Sequence, residues 1–124
     1  MIVLAIGLGG FIGAVLRSYI NGLVNENVKH DIPFGTLTVN LLGSFILGSL
    51  YAYFHFNHIS SPDIQKFLET GMMGALTTYS TFAVETFFLF KTKNYIMAFS
   101  NMFLNLFGTI LMVAAGYRIV ESFV

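Results

Sequence analysis

The sequence has no cysteine, two prolines and only 10% charged residues in 124 positions. Without cysteine there can be no disulfide, no thiolate metal site and no thiol nucleophile. Six basic and six acidic side chains cancel, so no electrostatic footprint points to nucleic acid or to an anionic membrane surface. A soluble domain normally carries about a quarter charged residues, and a domain this small leaves much of its surface in water. Here the polar material is too scarce to coat a globule. What the chain has instead is 56% hydrophobic residues, twelve glycines, fourteen phenylalanines and a mean hydropathy of +0.76. That composition predicts an integral membrane protein. No basic region precedes the first apolar stretch and no soluble domain follows it, which reads as a retained helix and not a cleaved signal peptide.

Crossing the hydrocarbon core takes about 20 mainly apolar residues in a helix. Four segments meet this, at about 2–24, 32–56, 64–90 and 95–119. The first ends in the polar run from Asn25 to Asp31. Pro33 is placed to open the second, the stretch from Asn57 to Asp63 turns the chain, and Lys91 to Asn94 closes the third. Every connection is short, so residues 1–124 form one all-α, multi-pass domain, expected in the cell membrane. With four spans both termini lie on one side. Lys66 and Arg118 flank that side; Lys29, Lys91 and Lys93 flank the other. So small an asymmetry gives little preference for either orientation.

Polar residues at membrane depth are costly and are functional candidates by default. The first span carries Arg17, and the second carries Thr36, Thr38, Asn40 and Ser44. In the third, Thr77, Thr78, Ser80 and Thr81 cluster near the middle, with Glu85 beyond them. Asn101, Asn105 and Thr109 recur every four residues and so share one face of the fourth helix. The plain alternative is that these groups only tie helices together, at about 0.6 kcal/mol per hydrogen bond. Glycines make a second pattern: Gly9 with Gly13 and Gly71 with Ala75 give small-xxx-small faces that let helices approach closely. The run Gly7–Gly13 lacks the G-x-G-x-x-G spacing of a dinucleotide loop, and no strand precedes it. His30, His55 and His58 fall at span ends, where solvated histidines are common. No nucleophile–base pair or metal-ligand cluster suggests an enzyme.

The segment from Gly74 to Phe82, GALTTYSTF, is the most informative. Glycine followed by β-branched and hydroxyl residues weakens a helix in mid-span. A break is tolerated in a membrane where it is buried in protein or lines a cavity, and its freed carbonyls can hold a cation. Alternatively the helix is continuous and the hydroxyls bond back to their own carbonyls. Four helices of this kind do not readily enclose a pore alone, so a homodimer is expected, and weak topology bias permits an antiparallel one.

Three motifs carry a resemblance to a known family. Residues 9–17, GGFIGAVLR, resemble the GGxxGAxxR opening of the Fluc (CrcB) fluoride channels. Residues 35–45, GTLTVNLLGSF, resemble the second-helix GTLxVNxxGxF of that family, and residues 74–82 resemble its GGxTTFSTF. The likeness extends over the whole chain. It implies an antiparallel, dual-topology homodimer with two fluoride pathways and a central structural Na⁺, held by the backbone carbonyls of Gly74 and Thr77 from both subunits. It implies a pathway in which Asn40 donates to fluoride and the rings of Tyr79 and Phe82 present their positive edges. Asn105 and Thr109 would add donors, and Arg17 would attract anions to a vestibule or anchor the interface. Two positions depart from the family pattern: Tyr79 stands where Phe is usual, and Ala75 replaces the second glycine.

The resemblance therefore implies passive fluoride export that lowers cytoplasmic fluoride. A proton-coupled exporter of the small multidrug-resistance type would need a Glu in the first helix, where this chain has Arg17 and no acid; Glu85 is its single mid-span candidate. A non-transporting assembly subunit would explain the glycines but not the clustered donors.

Overall fold

A computed structural model describes residues 1–30, 32–57 and 61–124. Asp31, His58, Ile59 and Ser60 lie outside the described residues, and with them the expectation at His58 and three of the seven residues of the predicted 57–63 turn. The described residues form helices joined by short links. These are α1 (Ile2–Asn27), α2 (Phe34–Asn57), α3 (residues 62–76), α4 (Tyr79–Lys91) and α5 (Tyr95–Phe123). Three of them, α1, α2 and α5, are long and apolar enough to cross a membrane. The third predicted span is present as two half-helices, α3 and α4, separated by Thr77 and Thr78.

The helix ends depart from the expected ones for local reasons. α1 runs three residues past Val24 because its asparagines fold back onto it: Asn25 Nδ2 donates to Asn21 Oδ1 at 2.8 Å and Asn27 Nδ2 to the Leu23 carbonyl at 2.7 Å. Pro33 precedes α2 and does not open it; its carbonyl accepts the Leu37 N–H at 3.2 Å. The first free donors of α2 are met from outside, since Gly35 N donates to Asn25 Oδ1 at 3.1 Å. α4 stops at a tight reversal in which Asn94 N reaches the Leu89 carbonyl and Lys93 N the Phe90 carbonyl. Lys93 takes the left-handed conformation there, at φ 62°, the place a glycine usually fills. α5 continues to Phe123, four residues past the expected end, and carries an exposed Arg118–Glu121 ion pair at 3.3 Å near its C-terminus.

The helices pair as α2 against α5 and α1 against α3. Both contacts are made by glycine against backbone. A Cβ on Gly48 would overlap the Val113 carbonyl, and one on Gly116 the Phe45 carbonyl. Across the other pair, Gly9 meets the Phe67 carbonyl and Gly13 the Met72 carbonyl. Those two carbonyls belong to a π-helical stretch, Lys66–Met73, within α3. A π turn is wider than an α turn, and the glycines of α1 leave room for it.

Burial is inverted relative to a soluble protein. Thr36, Asn40, Thr78, Thr86, Asn101 and Asn105 are buried, while Phe11, Ile96, Phe103 and Leu111 stand exposed. Soluble domains bury the apolar and expose the polar; lipid needs no polar surface.

Candidate functional site

The break between α3 and α4 is built by side chains that take over backbone bonds. Thr77 (φ −84°, ψ 156°) and Thr78 (φ −147°, ψ 122°) are extended, a conformation that suits β-branched residues. In a continuous helix the Thr78 N–H would bond to the Gly74 carbonyl. It donates instead to Asn40 Oδ1 at 2.7 Å, and Asn40 Nδ2 donates in return to the Thr78 carbonyl at 3.0 Å. One side-chain amide thus pairs with both backbone groups of a single residue, as a neighbouring strand would. Likewise the Thr81 N–H, which would serve the Thr77 carbonyl, donates to Thr78 Oγ1 at 3.3 Å and caps α4. The Thr78 and Thr81 N–H groups are therefore both satisfied. The continuous-helix alternative falls, although one part of it survives: Thr77 Oγ1 does bond back, to the Met73 carbonyl at 3.2 Å.

From the break a chain of buried amides runs across three helices. Asn40 Nδ2 donates to Asn105 Oδ1 at 2.9 Å, and Asn105 Nδ2 to the Asn101 carbonyl and Oδ1 at 2.9 and 3.0 Å. Asn101 Nδ2 donates to Thr86 Oγ1 at 2.9 Å, and Thr109 Oγ1 donates to the Asn105 carbonyl. The every-fourth-residue stripe on α5 is thus the spine of a network tying α2, α4 and α5 together. Thr86 was not singled out in the sequence, and nothing local marks it: its partner stands on the next helix. Thr36 is buried beside Glu85, and Thr36 Oγ1 and Glu85 Oε1 are buried without a hydrogen-bond partner among the described residues.

A cavity of about 410 Å³ lies beside this network. α2 lines it with Asn40, Ser44 and Leu47, and the break with Thr77 and Thr78. α4 adds Tyr79 and Phe82, and α5 adds Met102, Asn105, Leu106 and Thr109. Five of the sequence-predicted pathway residues, Asn40, Tyr79, Phe82, Asn105 and Thr109, therefore meet at one place. The Tyr79 and Phe82 rings stand edge to face with centroids 5.5 Å apart. No lining residue is charged. Arg17 is not in the lining; it sits half-buried on α1 and makes no ion pair among the described residues. One expectation needs refinement: the two amide hydrogens of Asn40 point at Thr78 O and Asn105 Oδ1, so neither stands free in the cavity.

The rerouted bonds leave the Gly74 and Thr77 carbonyls without their helical donors. Neutral oxygens of this kind suit a small hard cation, so the two predicted Na⁺ ligands fit that ion in donor chemistry. Among the described residues no group of His, Asp and Glu could hold a metal.

A family model described as "CrcB-like protein, Camphor Resistance (CrcB)" matches residues 4–117. A protein of Nautilia profundicola named "Fluoride-specific ion channel FluC" is 57% identical over 119 residues, covering 96% of this chain and 93% of that relative. Proteins of the same name from Sulfurimonas denitrificans and Thermococcus kodakarensis are 56% and 45% identical. Those matches cover 96% and 95% of this chain, and 92% and 94% of the relatives. Matched over almost its entire length by the family model and by these relatives, the chain belongs to the CrcB family.

Proposed function

We propose that the protein is a fluoride-selective channel of the cell membrane that lets fluoride leave passively and so lowers its cytoplasmic concentration. The observation that carries this reading is the uncharged cavity at the helix break, where two aromatic rings line the same space as the amides of Asn40 and Asn105 and the hydroxyls of Ser44 and Thr109. Ring edges are weakly positive, and donors without full charges hold an anion loosely enough to let it go. Fluoride would pass the edges of Phe82 and Tyr79 and be handed along Asn40, Asn105 and Thr109. Arg17 would raise the local anion concentration at the mouth. The names of the full-length relatives support a channel over the proton-coupled exporter.

The working unit is an antiparallel homodimer in which α3 and α4 together make a fourth crossing. Tyr79 is 80% exposed although it lines the cavity, and a second copy against the break would cover it. Two copies related by a two-fold axis bring four carbonyls together, Gly74 and Thr77 from each. A Na⁺ bound there would supply a fixed positive charge that favours nearby anions.

Fluoride efflux from liposomes holding the purified chain tests the function. Fluoride should leave much faster than chloride, and equal passage of chloride would sink the proposal. Phe82→Ile should remove most of the flux. Exchanging Na⁺ for a larger monovalent cation during purification should weaken the dimer, and indifference to Na⁺ would remove the central site.

A further inference from the structure

The cavity wall contains polar groups of two kinds: those already bonded within the chain and those with a hydrogen to spare. Asn40 and Asn105 spend their amide hydrogens on Thr78, Asn105 and Asn101. Thr77 donates to the Met73 carbonyl, Thr109 to the Asn105 carbonyl and Thr78 to Thr81 Oγ1. Two hydroxyls in the lining have no such partner among the described residues. One is that of Tyr79, on a ring that is 80% exposed. The other is Ser44, half-buried on α2 one turn beyond Asn40.

The hydroxyl of Ser44 is not tied back into its own helix, and unlike Ser18, Ser80 and Ser100, similarly unbonded among the described residues, it lines the cavity. A serine or threonine inside a helix commonly donates to the carbonyl four residues back. In this chain Thr38 does so to Phe34 at 2.7 Å, Ser49 to Phe45 at 2.9 Å and Thr92 to Phe88 at 3.0 Å. Ser44, on the same helix as Thr38 and Ser49, makes no such bond to the Asn40 carbonyl.

From this we infer that Ser44 is an anion-binding residue of the pathway, the donor that meets fluoride before any internal bond is broken. The inference rests on the channel reading above. A stripped anion needs donors at once. To use Asn40, it must displace the amide from Thr78 or from Asn105, each buried and each left without a partner by the exchange. To use Ser44 it displaces nothing of the protein. The hydroxyl lies on the α2 wall beside Asn40, so an anion held by Ser44 is next to the amide it would take over in the following step. Ser44 then sets how readily fluoride enters, and Asn40 how it is passed on.

The experiment measures fluoride efflux from liposomes against fluoride concentration, with the full chain and four variants. For Ser44→Ala the half-saturating fluoride concentration should rise at least tenfold, since hydrogen bonds to ions are worth about that factor or more. Ser44→Thr, which keeps the hydroxyl, should stay within about threefold of the parent. Ser49→Ala, whose hydroxyl is bonded to its own helix, should leave the flux unchanged. Because Ser44 has no internal bond to lose, Ser44→Ala should also melt at the parent's temperature. Unchanged half-saturation in Ser44→Ala, with Phe82→Ile inactive in the same assay, would overturn the role of Ser44 and leave the channel reading standing. A clear drop in melting temperature for Ser44→Ala would also overturn it, by revealing a structural partner. A parent chain that moves no fluoride would overturn both readings.

Discussion

Between α1 and α3, and along α2 and α5, the helices meet through glycine and bare backbone. Around the break, α2, α4 and α5 meet through asparagine and threonine. Both seams answer one physical problem: in lipid, apolar side chains gain nothing by leaving their surroundings for each other. Glycine solves it with close approach, because dispersion grows as backbones near contact. Asparagine solves it with hydrogen bonds that hydrocarbon cannot offer. The two solutions differ in what they permit afterwards. The glycine seam has no side chain to rearrange and is a fixed frame. The amide seam consists of groups that can exchange one partner for another, and the cavity lies along it.

The sharpest way to break this contrast is to fill a glycine contact. A Cβ on Gly48 would overlap the Val113 carbonyl and stand 2.9 Å from its Cα. Both neighbours are backbone, so a helix must move. Gly48→Ala should cost about 3 kcal/mol, the upper end for overpacking, seen as loss of monodisperse protein or a steep fall in melting temperature. A stable Gly48→Ala protein would mean that the frame is not close-packed.

The next largest effect belongs to the amide seam at its functional end. Asn40→Ala leaves the Thr78 N–H, the Thr78 carbonyl and Asn105 Oδ1 without their partner. An orphaned buried group costs about 1–3 kcal/mol, so the loss should approach 3 kcal/mol by thermal melting and fluoride efflux should vanish. Asn40→Asp should do no better, since a carboxylate would set oxygens against the Thr78 carbonyl and Asn105 Oδ1. Efflux at the parental rate in either variant would detach the break from conduction.

The two seams were not equally legible in the sequence. The spans are plain because hydropathy over twenty residues is a summed signal, and the glycine faces follow from helical spacing alone. The position of the break was readable to within a few residues, because Thr77-Thr78 after Gly74 is a poor helix former. Its cause was not. Asn40 lies 38 residues away and acts by pairing with the backbone N–H and carbonyl of one residue, which no local pattern encodes. The π stretch at Lys66–Met73 was invisible for a like reason: the carbonyls it displaces are accommodated by Gly9 and Gly13 on another helix. The asparagine stripe on α5 was legible as a face, but not the direction of its bonds. Direction is what decides that Asn40 has no free hydrogen while Ser44 does.

The far end of the amide seam tests whether the network is one unit. Asn101 is fully buried, accepts from Asn105 and donates to Thr86, but stands outside the cavity lining. Asn101→Ala should cost between about 1 and 2 kcal/mol, near the upper end for interhelical bonds in a membrane. Efflux should stay within a few-fold of the parent. Complete loss of efflux in a folded Asn101→Ala protein would make the whole seam, and not its break end, the conducting element.

The smallest expected effect is at Thr78, where frame and seam touch. Its hydroxyl caps α4 through a long bond to Thr81 N, 3.3 Å, so Thr78→Ala should cost only about 0.5–1 kcal/mol. Yet α4 begins at Tyr79, and its first turn carries both rings that line the cavity. A frayed first turn would let Tyr79 and Phe82 leave their edge-to-face pose, 65° between planes, at little cost in global stability. Thr78→Ala should therefore lower efflux more than its melting temperature suggests, and Thr78→Ser, which keeps the cap, should restore it. If Thr78→Ser fails to restore efflux, the methyl group and not the cap is what the pathway requires. If Thr78→Ala conducts normally, the rings are held by the cavity walls, and the start of α4 belongs with the rigid frame.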